Sequence, residues 1–240
     1  MDVNVRGKRA LVTGSSSGLG AATAALLAQE GATVVVHGRD ERRTTEVAAR
    51  IGAETAIGDL ATDEGADAVA QAAGKIDILV NNAGSYHQRG WTDLDAGQWA
   101  RTYNVNVLSG VRMIQRLVPG MRQRGWGRVI QIGGGLASQP TQAQPDYNAS
   151  LAARHNLAVS LARELKGTGV TSNVVSPGAI LVDAVRELGF SDDSNVPNDI
   201  NRLGKPEEIA GAVLYLCGPL ADYVSGATIR VDGGHIRSAF

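Results

Sequence analysis

Tyr147 opens the run YNASLAA, and a tyrosine phenol at the head of a helical stretch is a candidate proton donor or acceptor. Its ordinary pKa near ~10 makes it a poor base at neutral pH. A cation about 5 Å away, at an effective dielectric of about 20, favours the phenolate by roughly 3 kcal/mol, or about two pKa units. On a helix, the side chain four residues on shares a face with the tyrosine, so a cation there would act on it. Here that position is Leu151. Arg154 stands two turns from the tyrosine, about 10 Å along the axis, and makes a weak substitute by spacing.

A second constellation lies near the N-terminus. The segment TGSSSGLG, Thr13 to Gly20, joins an apolar run to an alanine-rich one. Gly14, Gly18 and Gly20 permit a tight turn and close backbone approach, and Ser16, Ser17 and Leu19 complete a loop whose amides face a phosphate at a helix N-terminus. A glycine-rich turn alone is a weak signal; its place after a strand strengthens it. The next apolar run ends VVVHGRD, placing Gly38 and Arg39 where an acid would bind a ribose 2′-hydroxyl. A guanidinium there suits a 2′-phosphate, with Arg42 and Arg43 in reserve, so NADP(H) is expected over NAD. Asp59-Leu60 and Asn81-Asn82-Ala83-Gly84 follow the third and fourth apolar runs, and PG at Pro177-Gly178 follows the sixth.

The elements that must carry these residues alternate. Apolar β-branched runs are read as strands at Arg9–Thr13, Thr33–His37, Thr55–Ile57, Ile76–Val80, Arg128–Ile132, Val170–Val175 and Thr228–Val231. Helical stretches are read at Leu19–Glu30, Glu41–Ile51, Asp63–Ala73, Gln98–Arg124, Tyr147–Lys166 and Pro206–Leu216. Strands without polar alternation are buried on both faces, which implies a parallel sheet. Right-handed crossovers then give a doubly wound α/β architecture, a Rossmann fold of about seven strands in a single domain spanning 1–240.

Composition sets outer bounds. With 240 residues and 43% hydrophobic content the chain can bury a full core. A formal net charge of −1 with scattered Lys and Arg gives no electrostatic footprint for nucleic acid. The single cysteine, Cys217, sits in the apolar run AVLYLC and reads as a buried hydrophobe; one cysteine excludes an internal disulfide. His37, His87, His155 and His235 show no metal-ligand spacing, so no metal is expected. No run reaches the ~20 apolar residues of a membrane span, and the N-terminus lacks an apolar signal segment. A cytoplasmic protein is expected, acting on a small molecule without membrane or nucleic-acid partners.

Taken in order, TGSSSGLG, NNAG, NVNVLSG, YNASLAA, SPGAILVD, RLGKPEEIA and SGATIRVDGG resemble the short-chain dehydrogenase/reductase family, in particular members similar to 3-oxoacyl-(acyl-carrier-protein) reductases. The resemblance runs from about Gly7 to Gly234. It implies Tyr147 and Asn106 as catalytic residues, with Asn106 holding a water in a proton relay. It implies cofactor contacts from the glycine turn, Asp59, Leu60, Asn82, Ala83, Gly84, Pro177, Gly178 and Ile180. It also implies homodimers or homotetramers that pair the two long helices through a face including Ala149, Ala152, Ala153, Leu157 and Leu161. The family's catalytic serine falls at Gly134, thirteen residues before Tyr147, and its lysine at Leu151; a threonine common beside the cofactor falls at Val182. Loss of one hydroxyl donor costs about 100–1000-fold in rate in other enzymes. Ser138, His87, Tyr86 and Gln88 lie near enough in sequence to approach the pocket. The leading expectation is an NADP-dependent carbonyl/alcohol oxidoreductase with an incomplete site. The alternatives are a non-redox lyase or isomerase on the same scaffold, a silent cofactor-binding subunit, and introduced substitutions at 134 and 151.

Overall fold

The computed structural model describes residues 3–238. Its first half repeats one move: a short apolar strand, then a helix that covers it. Strand β1 (Arg9–Val12) leads to α1 (Gly18–Gln29), β2 (Thr33–Gly38) to α2 (Glu41–Ile51), and β3 (Glu54–Ile57) to α3 (Asp63–Ala73). After β4 (Ile78–Asn81) come α4 (Ala96–Tyr103) and α5 (Ser109–Arg124), then β5 (Gly127–Ile132), α6 (Pro145–Glu164) and β6 (Val170–Pro177). A short α7 (Asp183–Arg186), α8 (Pro206–Cys217) and β7 (Thr228–Val231) complete the domain.

Local chemistry fixes several boundaries. The Asp40 carboxylate accepts from Arg43 N at 3.0 Å and starts α2, which ends at Gly52 with φ 66°. Thr62 caps α3 through Gly65 N at 3.0 Å. Asp95 and Gln98 exchange bonds of 2.7 Å in a capping box that starts α4. The expected single helix over Gln98–Arg124 is instead two, joined by one widened π turn at Asn104–Leu108. Such turns leave backbone groups outside the regular ladder.

All seven strands run parallel in the order β3-β2-β1-β4-β5-β6-β7. Alternate residues go to opposite layers, as the pleat requires. Ala10, Val12, Val34, Val36, Ile78, Val80 and Ile130 join the core under α1, α2 and α8. Leu11, Val35, Leu79 and Val129 join the core under α3 and α5. Cys217 lies in the first core, and burial pushes its thiol up to about 12. The strand order reverses between β1 and β4, the place where ligands bind doubly wound sheets.

Candidate active site

The glycine turn lies at that reversal. Gly14 has φ +64°, and a Cβ there would stand 2.9 Å from the Ala83 Cα. The turn is stitched to the loop after β4. Thr13 Oγ1 accepts from the amides of Asn82 and Ala83, each at 3.0 Å, and the Asn82 side chain donates to the carbonyls of Thr13 (2.9 Å) and Gly14 (3.0 Å). Asn82 thus faces the turn rather than outward. A Cβ on Gly20 would collide with the Gly14 carbonyl and the Asn82 amide. Ser17 is the N-cap of α1 without a side-chain bond, Ser16 lies against Gly38, and Leu19 packs on the core. Gly18 has φ +54° and faces Val182, whose Cγ1 would be 3.6 Å from an added Cβ.

His37 is the residue that sequence reasoning missed here. Its Nδ1 accepts from Gly14 N at 2.9 Å and its Nε2 lies 3.1 Å from the Gly58 carbonyl. Those partners require the neutral tautomer with the proton on Nε2. Ser15 adds two bonds: its amide donates to the His37 carbonyl and its hydroxyl accepts from His37 N. Burial holds the imidazole pKa down at about 4. The available signal was a lone polar residue ending an apolar strand, VVVHG.

Beyond β2, Arg39 is 71% exposed at its side chain, and its Nη1 lies 3.9 Å from Asp59 Oδ2. Arg42 and Arg43 pair with Glu46 (2.7 Å) and Asp40 (3.6 Å) on or beside their own helix, and their side chains stay largely exposed. Asp59 also accepts from Ala61 N at 3.0 Å, and Leu60 is buried. At the other side, Gly178 N donates to Val231 O, a Cβ on Gly178 would press on Asp232, and Ile180 bridges to Gly204. Pro177 ends β6 beside Val231.

Tyr147 sits in the first turn of α6, behind Pro145. Asp146 accepts from Thr102 Oγ1 at 2.6 Å, and Asn148 donates to Thr141 and Ala143 carbonyls, which fixes the helix start. The Tyr147 ring lies 5.8 Å from that of Tyr86, and Tyr86, His87, Gln88 and Ser138 are all exposed. Burial raises the Tyr147 pKa above its ordinary value, Arg154 opposes that rise, and Tyr86 adds to it. Leu151 is buried, and its Cδ1 stands 2.9 Å from where a Cβ on Gly134 would be. Positions 134 and 151 therefore share one space.

Asn106 lies in the π turn with its side chain fully engaged. Its Oδ1 accepts from Ser85 N (2.8 Å), and its Nδ2 donates to Ser85 O (2.9 Å) and Ser150 Oγ (3.0 Å). Its carbonyl accepts from Arg154 Nε. The same guanidinium donates through Nη1 to Ile132 O (2.7 Å) and through Nη2 to Ala83 O. Gly84 lies beside it: a Cβ there would be 3.2 Å from Nη2. Spacing alone undervalued Arg154, because helical side chains lean toward the N-terminus and a long one reaches back a turn. Asn104 packs away from the site, donating to Ala61 O and accepting from Arg112.

A hollow of about 770 Å³, lined in part by Trp126, Arg128, Arg163, Lys166 and Asp222, opens at the opposite, N-terminal ends of β5 and β6. It shares no residue with the Tyr147 site. Among the described residues no group of three His, Cys, Asp or Glu side chains is placed to hold a metal, and no helix is long and apolar enough to cross a membrane.

Comparison with known proteins agrees with this fold. A family model described as enoyl-(acyl carrier protein) reductase matches residues 14–235. The chain is 36% identical to the uncharacterized oxidoreductase YvaG of Bacillus subtilis, covering 100% of both chains. It is 35% identical to the 3-oxoacyl-(acyl-carrier-protein) reductase FabG of Vibrio harveyi, over 97% of this chain and 98% of that one. Among solved structures, it is similar to L-sorbose reductase from Gluconobacter frateurii complexed with NADPH and L-sorbose: TM-score 0.92, 34% identity, 99% of this chain and 100% of the other. It is also similar to the 3-oxoacyl (acyl-carrier-protein) reductase of Agrobacterium tumefaciens C58 with NADP bound: TM-score 0.90, 35% identity, 97% and 96% covered. The chain belongs to the short-chain dehydrogenase/reductase family.

Proposed function

We propose that this chain is an NADP(H)-dependent oxidoreductase that interconverts a small-molecule carbonyl and its alcohol, with Tyr147 exchanging the proton in a site that lacks the family's serine and lysine. The observation that carries the reading is the convergence at one end of the sheet of the glycine turn, Arg39 and the half-buried Tyr147. The described residues fit the cofactor. Gly14 and Gly20 are packed so closely that only hydrogen fits, the first amides of α1 have no helical acceptor, and Arg39 stands exposed beyond β2. The NADPH and NADP complexes of the two related reductases support the same choice.

The nicotinamide cofactor supplies or accepts the hydride. In this reading the turn from Gly14 to Gly20, with Ser16, Ser17, Gly18 and Leu19, receives the phosphates, and Arg39 receives the 2′-phosphate. Asp59 and Leu60 border the adenine; Asn82, Ala83 and Gly84 border the ribose; Pro177, Gly178 and Ile180 border the nicotinamide. As hydride reaches the carbonyl carbon, the Tyr147 phenol donates its proton to the carbonyl oxygen, giving the alcohol and a phenolate that is reprotonated from solvent. Positioning alone supplies several kcal/mol, so turnover survives the lost partners. Asn106, whose carbonyl is bound by Arg154, organises the walls through Ser85 and Ser150. We further assign a cytoplasmic setting and a homo-oligomer paired through α5 and α6, where Ala152 is exposed and Ala149, Ala153 and Leu157 are half-buried.

A second reading, a cofactor-binding protein without turnover, draws on one observation: Leu151 crowds the space that a hydroxyl at position 134 would need. Fluorescence titration with NADPH and NADH, followed by turnover on a carbonyl panel, separates the two. NADPH binding with turnover abolished by Tyr147→Phe is expected. Absence of NADPH binding overturns both readings, and binding without turnover leaves the second.

A further inference from the structure

Burying a guanidinium is costly unless its donors and its charge are answered. Arg154 is 5% exposed, and among the described residues no carboxylate forms an ion pair with it. Its Nε, Nη1 and Nη2 are answered by three backbone carbonyls, Asn106, Ile132 and Ala83. Those carbonyls come from the π turn, the end of β5 and the loop after β4, which are the three backbone segments that wall the Tyr147 site. Carbonyl dipoles satisfy the donors and leave the net charge in place. A formal charge without a counter-ion, in a low-dielectric interior, acts on the nearest group that can ionise.

We propose that Arg154 is the cation of this active site, set seven residues after the tyrosine instead of four, and that it acts as a positioning residue through Tyr147 and the Asn106 carbonyl. The inference rests on the reading of Tyr147 given above. Leu151 can be apolar because the charge has moved one turn along α6 and reaches the site from beneath. The ionisable groups facing Tyr147 are few. Tyr86 faces it from the loop after β4, and the Arg154 guanidinium, on the same helix, lies on the Asn106 and Ala83 carbonyls, with Asn106 joined through Ser150 Oγ to the Tyr147 carbonyl; Asp146 is turned to Thr102, and His155 has its Nε2 against Gly133. Attraction between Arg154 and an ionised Tyr147 works in both directions, lowering the tyrosine and raising the arginine, against the burial that acts oppositely on each. The π turn supports the arrangement, since it places the Asn106 carbonyl within reach of Nε.

The test reads the phenol directly, so it stands apart from turnover. Tyrosinate absorbance at about pH 10.5 is measured for the unmodified protein and for Arg154→Met, each against its Tyr147→Phe counterpart. Loss of Arg154 is expected to cut the Tyr147 phenolate signal at least about fivefold. Arg154→Lys keeps the charge and loses the fork, and is expected to hold the signal within about twofold; it carries the test if the methionine variant does not fold. A Tyr147 signal indifferent to Arg154→Met, or one lost equally in Arg154→Lys, overturns the proposal. If no NADPH binding is found in any variant while the phenol responds as expected, the cofactor reading fails and the role of Arg154 stands.

Discussion

At the scale of single residues, the site is defined by pairs. Gly134 and Leu151 form one: a Cβ at 134 would stand 2.9 Å from Leu151 Cδ1. Gly134→Ser alone is therefore expected to leave carbonyl reduction within about threefold of the parent, because the new Cβ meets Leu151 Cδ1. Leu151→Lys alone gains less than about tenfold if Arg154 already supplies the charge. The two together are expected to raise kcat/KM at least about 100-fold through the restored hydroxyl, a gain erased by Tyr147→Phe. A double-mutant cycle checks this, and simple additivity would count against the shared-space argument. Arg39 and Asp59 form the looser pair. Arg39→Ala is expected to weaken NADPH binding by about 1.5–3 kcal/mol while NADH changes little, and equal losses would remove the basis for choosing NADP(H).

At the scale of elements, the glycine turn owes its shape to neighbours as much as to its own glycines. His37 links it to β2 and to the end of β3, and Asn82 and Thr13 link it to β4. The His37 pKa falls from 6.5 to about 4 on folding, so the unfolded chain takes up the proton first. Stability is fully present above about pH 6.5 and falls by roughly 3 kcal/mol by pH 4. His155, also held low by burial, acts in the same direction. Urea unfolding from pH 7 to pH 4 is expected to lose that slope in part in His37→Asn, and NADPH affinity is expected to drop as the Gly14 contact is lost. An unchanged slope would show that His37 does not titrate as its burial implies. These elements were also the most legible part of the sequence: α2, α3 and β7 have the bounds read from periodicity, because caps and apolar runs are local signals. The π turn was not legible, since NVNVL has the pattern of an ordinary helix and the extra residue appears only where Asn106 meets Arg154. His37 was passed over and Arg154 rated a weak substitute for the same reason: their partners are 21 to 71 residues away.

At the scale of the whole molecule, two cores flank one sheet, and the chemistry is gathered at a single end of it. The opposite end carries the basic hollow around Trp126 and Arg163, and the outer side of α6 carries exposed Ala152 beside half-buried Ala149 and Ala153. Light scattering at micromolar concentration is expected to show a dimer or tetramer, and a monomer alone would count against pairing through α5 and α6. Cys217 gives the molecule a further property. Its thiol lies in the core beneath α1 and α8, with its ionisation pushed up to about 12, so the native protein is silent toward alkylating reagents near neutral pH. Every labelled molecule must then have parted α8 from the sheet. The rate of labelling, followed by mass spectrometry as reagent concentration is raised, becomes a clock for that opening, and bound NADPH should slow it in proportion to how far the opening also dismantles the cofactor cradle.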